Sequence, residues 1–153
     1  MTSSTLSAAL TPAPEPGSYA QVRDITRATL SCVVPAFNEH DNLGLLLPRL
    51  QAVLAQTGAN WEVIVVDDGS RDATVSLMAA WVCNPGFRFV QLSRNFGKEP
   101  AITAGIEAAT GDVVMILDAD LQHPPELLPA MLALWPLRER AAPLPVEGEG
   151  AGG

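Results

Sequence analysis

The chain has 153 residues, a net charge of −8 and 48% hydrophobic residues, a size for one domain and an apolar content that excludes wholesale disorder. Its single lysine, Lys98, argues against non-specific nucleic-acid binding, which needs basic patches. No basic-then-apolar leader opens it and no apolar run nears the ~20 residues of a bilayer span, so a cytoplasmic location is expected.

Residues 1–28 are rich in Ser, Thr, Ala and Pro and are expected to form a disordered lead-in. Residues 30–34 read as a first strand, closed by Pro35. Asp41 is placed to cap a helix running to about Gln56, kinked at Pro48 and ended by Gly58. Residues 61–66 read as a second strand that terminates on Asp67 and Asp68, and Asp72 offers a cap for a helix to about Val82. Asn84-Pro85-Gly86 is a turn, residues 87–92 a third strand, and residues 93–98 a loop. Pro100 suits the first turn of a helix that ends before Gly111. Residues 113–117 are five apolar residues, three of them β-branched, which suits a strand buried on both faces. Pro125 opens a last helix to about Trp135. Residues 137–153 fall into Pro, Gly, Ala and Glu and read as a disordered tail, leaving residues 29–136 as the folded domain. Cys32 and Cys83 lie far apart without metal-ligand spacing and read as reduced core thiols.

Strand–helix alternation repeated four times with short connections predicts an α/β fold: a mostly parallel sheet with helices on both faces. The distinctive loops all follow strands, so they gather at the carboxyl edge, where open α/β sheets bind ligands. Asp118 and Asp120, separated by one small residue, converge if a turn sits at the strand end. Hard cations such as Mg²⁺ use one or two carboxylates plus substrate phosphates, so a metal–diphosphate site is expected there. The competing reading is two solvated acids in a turn. Asp67 and Asp68 repel each other unless a cation or donor group is near, with a turn-plus-cap role as the alternative. Phe37 and Glu39 suit a base and a ribose; alternatively Phe37 is core and Glu39 lies in the first turn of a helix. Arg94 and Lys98 flank Gly97 as phosphate counter-charges or as solvated surface groups. His40 and His123 read as solvated side chains.

Four segments in order, Val33-Val-Pro-Ala-Phe-Asn-Glu39, Val65-Val-Asp-Asp-Gly-Ser-Arg-Asp-Ala-Thr74, Leu92-Ser-Arg-Asn-Phe-Gly-Lys98 and Leu117-Asp-Ala-Asp-Leu-Gln-His-Pro-Pro-Glu126, resemble the family 2 glycosyltransferases of GT-A fold. The nearest likeness is to the branch of dolichol-phosphate mannose synthases and bactoprenol glucosyltransferases. The resemblance covers about residues 29–135 and implies the Rossmann-like, nucleotide-binding half of a GT-A domain. It implies that Pro35, Phe37 and Glu39 hold base and ribose, and that Asp68, with Asp67 beside it, reads the base. Val66, Lys98 and Ala119 belong to the same implied nucleotide site. Asp118 and Asp120 are implied as the catalytic acids that hold Mg²⁺ or Mn²⁺ against the diphosphate, with Gln122 a further metal ligand. The family usually carries Tyr at the Phe37 position, so the ring remains here without its hydroxyl.

The implied reaction moves a hexose from a UDP- or GDP-sugar to a polyprenyl phosphate. The metal neutralises the departing diphosphate during a single inverting displacement. No nucleic-acid partner is implied, and the parent family works at the cytoplasmic face of the membrane. Because the match stops near Trp135, the chain reads as a fragment or frameshifted product of a longer gene, without the acceptor half that also carries membrane segments. An inactive nucleotide- and metal-binding remnant is the alternative. A haloacid-dehalogenase-type phosphatase fits poorly, since no lysine follows Asp120, and a response-regulator receiver would carry its acid pair on the first strand.

Overall fold

A computed structural model of the chain describes residues 28–134. The lead-in and tail expected from composition, and the helix end at Trp135, lie outside the described residues. The order is β1 (Thr29–Ala36), α1 (His40–Gln56), β2 (Asn60–Asp67), α2 (Thr74–Trp81), β3 (Phe87–Gln91), α3 (Lys98–Ala108), β4 (Val113–Ile116), a 3-10 turn (Pro125–Leu127) and α4 (Leu128–Leu134). All strand pairs are parallel, in the order β3-β2-β1-β4. The expected α/β alternation is therefore observed, and it meets the family's fold class.

The period of two along β1 divides its side chains between two layers. Leu30, Cys32, Val34 and Ala36 meet the α1 stripe of Leu43, Leu46, Leu47, Leu50 and Leu54. Those leucines recur at helical spacing and are fully buried, contributing roughly 1.5–3 kcal/mol each. On the opposite face Val33, Ile64 and Val66 pack against Ala101 of α3. Gly105 lets α3 lie close to the sheet, because a Cβ there would collide with Val33 Cγ1.

Several local expectations change. Strand β1 runs through Pro35 to Ala36; β4 pairs only as far as Val33, so on that side the missing proline N–H forfeits no ladder bond. Helix α1 starts at His40 and places Asp41 in its first turn instead of at its cap, and it continues through Pro48. Asp72 serves both helices: Oδ2 accepts from the His40 N–H at 3.2 Å, and Oδ1 accepts from the Thr74 N–H at 3.0 Å. Strand β4 was expected to be buried on both faces, but it is an edge strand with Val114 and Ile116 exposed. The reason is lateral: α3 covers the neighbouring β1 and β2 and not β4. Cys32 is a buried core thiol, pushed up to about 12 by burial, whereas Cys83 is exposed and outside the core.

A polar clamp closes the amino end of the sheet. Glu62 on β2 accepts from Ser31 Oγ of β1 at 2.7 Å, from Arg88 Nη1 of β3 at 2.9 Å and from the Thr110 N–H at 2.7 Å. Burial works against its charge, yet these bonds prevail and hold its carboxyl down at about 2.

Candidate functional site

The strand order runs outward from β1 through β2 to β3, then returns to β4 on the other side of β1. β1 and β4 therefore adjoin where the strand order reverses, the place at the carboxyl edge where open α/β sheets bind ligands. A cleft of about 350 Å³ occupies that place. Of the residues singled out in the sequence, Pro35, Phe37, Glu39, Asp68, Lys98, Asp118, Ala119 and Asp120 line it.

Three do not. Val66 is buried in the layer under α3. Asp67 is fully buried, and its carboxylate accepts from the Ser70 N–H at 3.2 Å. Gln122 is exposed outside the cleft, and its backbone N–H donates to Asp120 Oδ1 at 3.1 Å. Asn95 lines the cleft without having been singled out. Its signal was present in the Ser93–Lys98 motif, where only the cations drew notice.

Phe37 is 44% exposed, which excludes the core reading and leaves a free ring face at the cleft. Glu39 sits at the α1 N-cap position, where its side chain accepts from Asn42 Nδ2 at 2.7 Å. Between them Asn38 adopts φ +52. Its Oδ1 accepts from the Arg71 N–H at 2.8 Å, and its own N–H donates to Ser70 Oγ at 2.9 Å. The loop after β1 is thus latched to the loop after β2. Asparagine tolerates this left-handed backbone better than most residues.

Backbone donors meet both of the adjacent acids Asp67 and Asp68. Asp68 Oδ1 accepts from the Phe96 N–H at 2.8 Å and Oδ2 from the Gly97 N–H at 3.0 Å. These bonds hold the loop that delivers Lys98, which is the first residue of α3 rather than part of the loop. Lys98 Nζ lies 2.5 Å from Asp118 Oδ1. That hydrogen bond and charge, with Asp120 beyond, raise the lysine above its ordinary value. Arg94 instead lies over the Phe96 ring, 4.6 Å from its centroid, and does not line the cleft. His123 is exposed, as the sequence suggested.

Asp118 and Asp120 reach one cleft because the chain turns sharply after β4, with Leu121 at φ +61. A leucine in that region costs roughly 1–2 kcal/mol, strain kept at the acidic turn. Among the described residues no three His, Cys, Asp or Glu side chains gather around one metal position. The donor set is two carboxylates, with a cationic ammonium already drawn to one of them. It fits a hard divalent cation that completes its shell with phosphate oxygens and water.

A parallel α/β sheet whose switch-point cleft joins an aromatic ring, a lysine and an Asp-x-Asp turn is a GT-A domain, and similar solved structures are glycosyltransferases. A mannosyltransferase from Pyrobaculum calidifontis in complex with GDP-Man and Mn²⁺ superposes with TM-score 0.54 at 29% identity, covering 61% of this chain and 28% of that one. A Mycobacterium tuberculosis glucosyl-3-phosphoglycerate synthase in complex with UDP gives TM-score 0.56 at 27% identity, covering 71% and 41%. The chain belongs to glycosyl transferase family 2, whose pattern it matches over residues 31–142. It is 48% identical over 106 residues to an undecaprenyl-phosphate 4-deoxy-4-formamido-L-arabinose transferase of Pseudomonas fluorescens, covering 68% of this chain and 31% of that one. It is 42% identical over 112 residues to a dodecaprenyl-phosphate galacturonate synthase of Rhizobium johnstonii, covering 72% and 33%. The chain thus spans about a third of the length of the curated relatives it matches. Among the described residues no helix is long and apolar enough to cross a membrane.

Proposed function

We propose that this chain is the donor-binding part of a family 2 transferase that moves a sugar from a UDP- or GDP-sugar to a polyprenyl phosphate. The observation that carries the donor half is the convergence of Phe37, Lys98, Asp118 and Asp120 on one cleft at the β1/β4 switch point. The polyprenyl phosphate acceptor is supported by the names of the relatives from Pseudomonas fluorescens and Rhizobium johnstonii. The Pyrobaculum complex with GDP-Man and Mn²⁺ supports a divalent cation.

In this reading Phe37 stacks on the base. Asp68, which lines the cleft while anchoring the Phe96–Gly97 amides, contributes a carboxylate acceptor to it. Glu39 faces the ribose. Asp118 and Asp120 would hold Mg²⁺ or Mn²⁺, which supplies charge neutralisation for the departing diphosphate. Lys98, beside Asp118, adds a cation for the diphosphate. Calorimetric titration with UDP and GDP, with and without Mn²⁺, tests the reading. Metal-dependent nucleotide binding is expected, and tight binding without metal overturns it.

A further inference from the structure

The Lys98–Asp118 contact does more than add a charge to the cleft wall. Asp118 Oδ1 belongs to one of the two carboxylates to which a divalent cation would be drawn, and Lys98 Nζ stands 2.5 Å from it. A divalent cation and the ammonium compete for that oxygen, because like charges a few ångströms apart repel each other. The lysine side chain is 61% exposed and rides on a four-carbon stem, so it is free to leave. Its backbone is not free: Asp68 fixes the preceding Gly97 N–H at 3.0 Å, so the ammonium swings about a fixed base. Of the other acids lining the cleft, Asp120 would be engaged by the same cation, Asp68 already accepts the Phe96 and Gly97 N–H groups, and Glu39 accepts from Asn42. The remaining anion is the incoming diphosphate.

We infer that Lys98 is an exchangeable counter-ion, which holds Asp118 while the metal is absent and passes to the diphosphate when metal and nucleotide enter together. This rests on the donor-site reading above. Its consequence is thermodynamic. Metal alone must displace the lysine without giving it a new partner, whereas metal with diphosphate supplies one. Metal and nucleotide therefore bind with positive coupling, and by reciprocity each raises the other's affinity by the same factor.

The test measures that coupling factor in the full chain by calorimetry, using Mn²⁺ alone, UDP or GDP alone, and each titrated in the presence of the other. In Lys98→Met, Mn²⁺ alone is expected to bind at least threefold tighter than in the wild type. Nucleotide in the presence of Mn²⁺ is expected to bind about tenfold more weakly, so that the coupling factor collapses towards what the metal–phosphate contact supplies. Lys98→Arg, which keeps the charge, is expected to leave Mn²⁺ alone weak. A second readout separates exchange from simple charge repulsion. Lys98 is the only lysine of the chain, so ¹³C-methylation of amines leaves a single lysine resonance beside that of the N-terminus. Under exchange that resonance moves towards the free-lysine position on addition of Mg²⁺ and moves again on addition of pyrophosphate.

A coupling factor unchanged within twofold in Lys98→Met, or a lysine resonance indifferent to Mg²⁺, overturns the exchange while wild-type metal-dependent nucleotide binding leaves the donor-site reading standing. Absence of both metal and nucleotide binding in the wild type overturns both.

Discussion

Asp68 Oδ2, just after β2, accepts the backbone N–H of Gly97, the N-cap residue of α3, at 3.0 Å across 29 positions of sequence. With the Phe96 N–H on Oδ1 at 2.8 Å, one carboxylate fixes the loop that carries Asn95 to the cleft and presents Lys98 to Asp118. Asp68 is therefore tied, through that loop and Lys98, to the turn that carries Asp118. Gly69 makes room for that loop: a Cβ there would lie 2.5 Å from the Asn95 nitrogen, and its φ is +77.

Gly69→Ala meets both problems at once. The left-handed backbone and the collision with the 93–97 loop are expected to lower stability by about 1–3 kcal/mol. Nucleotide affinity should fall with it, because the loop that bears Lys98 must shift. Chemical denaturation alongside calorimetry checks the pair; full stability with full affinity would show that the loop has slack.

Phe37→Ala separates recognition from folding. The ring is 44% exposed, so its loss should leave the melting temperature nearly unchanged. Stacking on a base is worth about 1–3 kcal/mol, so UDP or GDP affinity should drop by one to two orders of magnitude. Pyrophosphate affinity should not change. An equal loss for nucleotide and pyrophosphate would remove Phe37 from the base.

Asp120→Ala addresses the metal. With only Asp118 left on the acidic turn, Mn²⁺-dependent binding of UDP or GDP is expected to weaken at least tenfold, about 1.4 kcal/mol. Metal-independent binding of nucleoside should persist. Unchanged metal-dependent nucleotide affinity in this variant would refute the assignment of the pair.

Glu62 predicts a dependence on acid. Its carboxyl is held at about 2 against an ordinary 4.5, so the folded pKa lies below the unfolded one. Its contribution is then complete above pH 4.5 and is lost as pH falls from there towards 2. That difference corresponds to roughly 3 kcal/mol. Urea denaturation of wild type and Glu62→Gln at pH 6 and pH 3 reads it: the stability gap between them should be wide at pH 6 and narrow at pH 3. A gap independent of pH would mean that the clamp works through shape and not charge.

Much of this domain is written locally. The apolar runs that become β1 to β4, the leucine stripe of α1, the breaks at Gly58 and Gly86 and the Asp-x-Asp turn were legible because side-chain period and turn chemistry are short-range properties. The gathering of the loops at one edge followed from alternation alone. The sequence could not say that β4 lies beside β1, because strand neighbours are chosen by packing between segments some eighty residues apart, as in the pairing of Leu30 with Val113. That choice opened the cleft, left Val114 and Ile116 at an edge, and brought Asp118 to Lys98. It also decided among identical residue types. Of two adjacent aspartates, the strand's period turned Asp67 inward to Ser70 and left Asp68 to the cleft, and Glu62 became a clamp only because three strands and Thr110 converge on it. A sequence displays the charges and the hydrogen-bonding groups. Tertiary structure determines which of them meet, because the meeting depends on register and on distances that no local pattern carries.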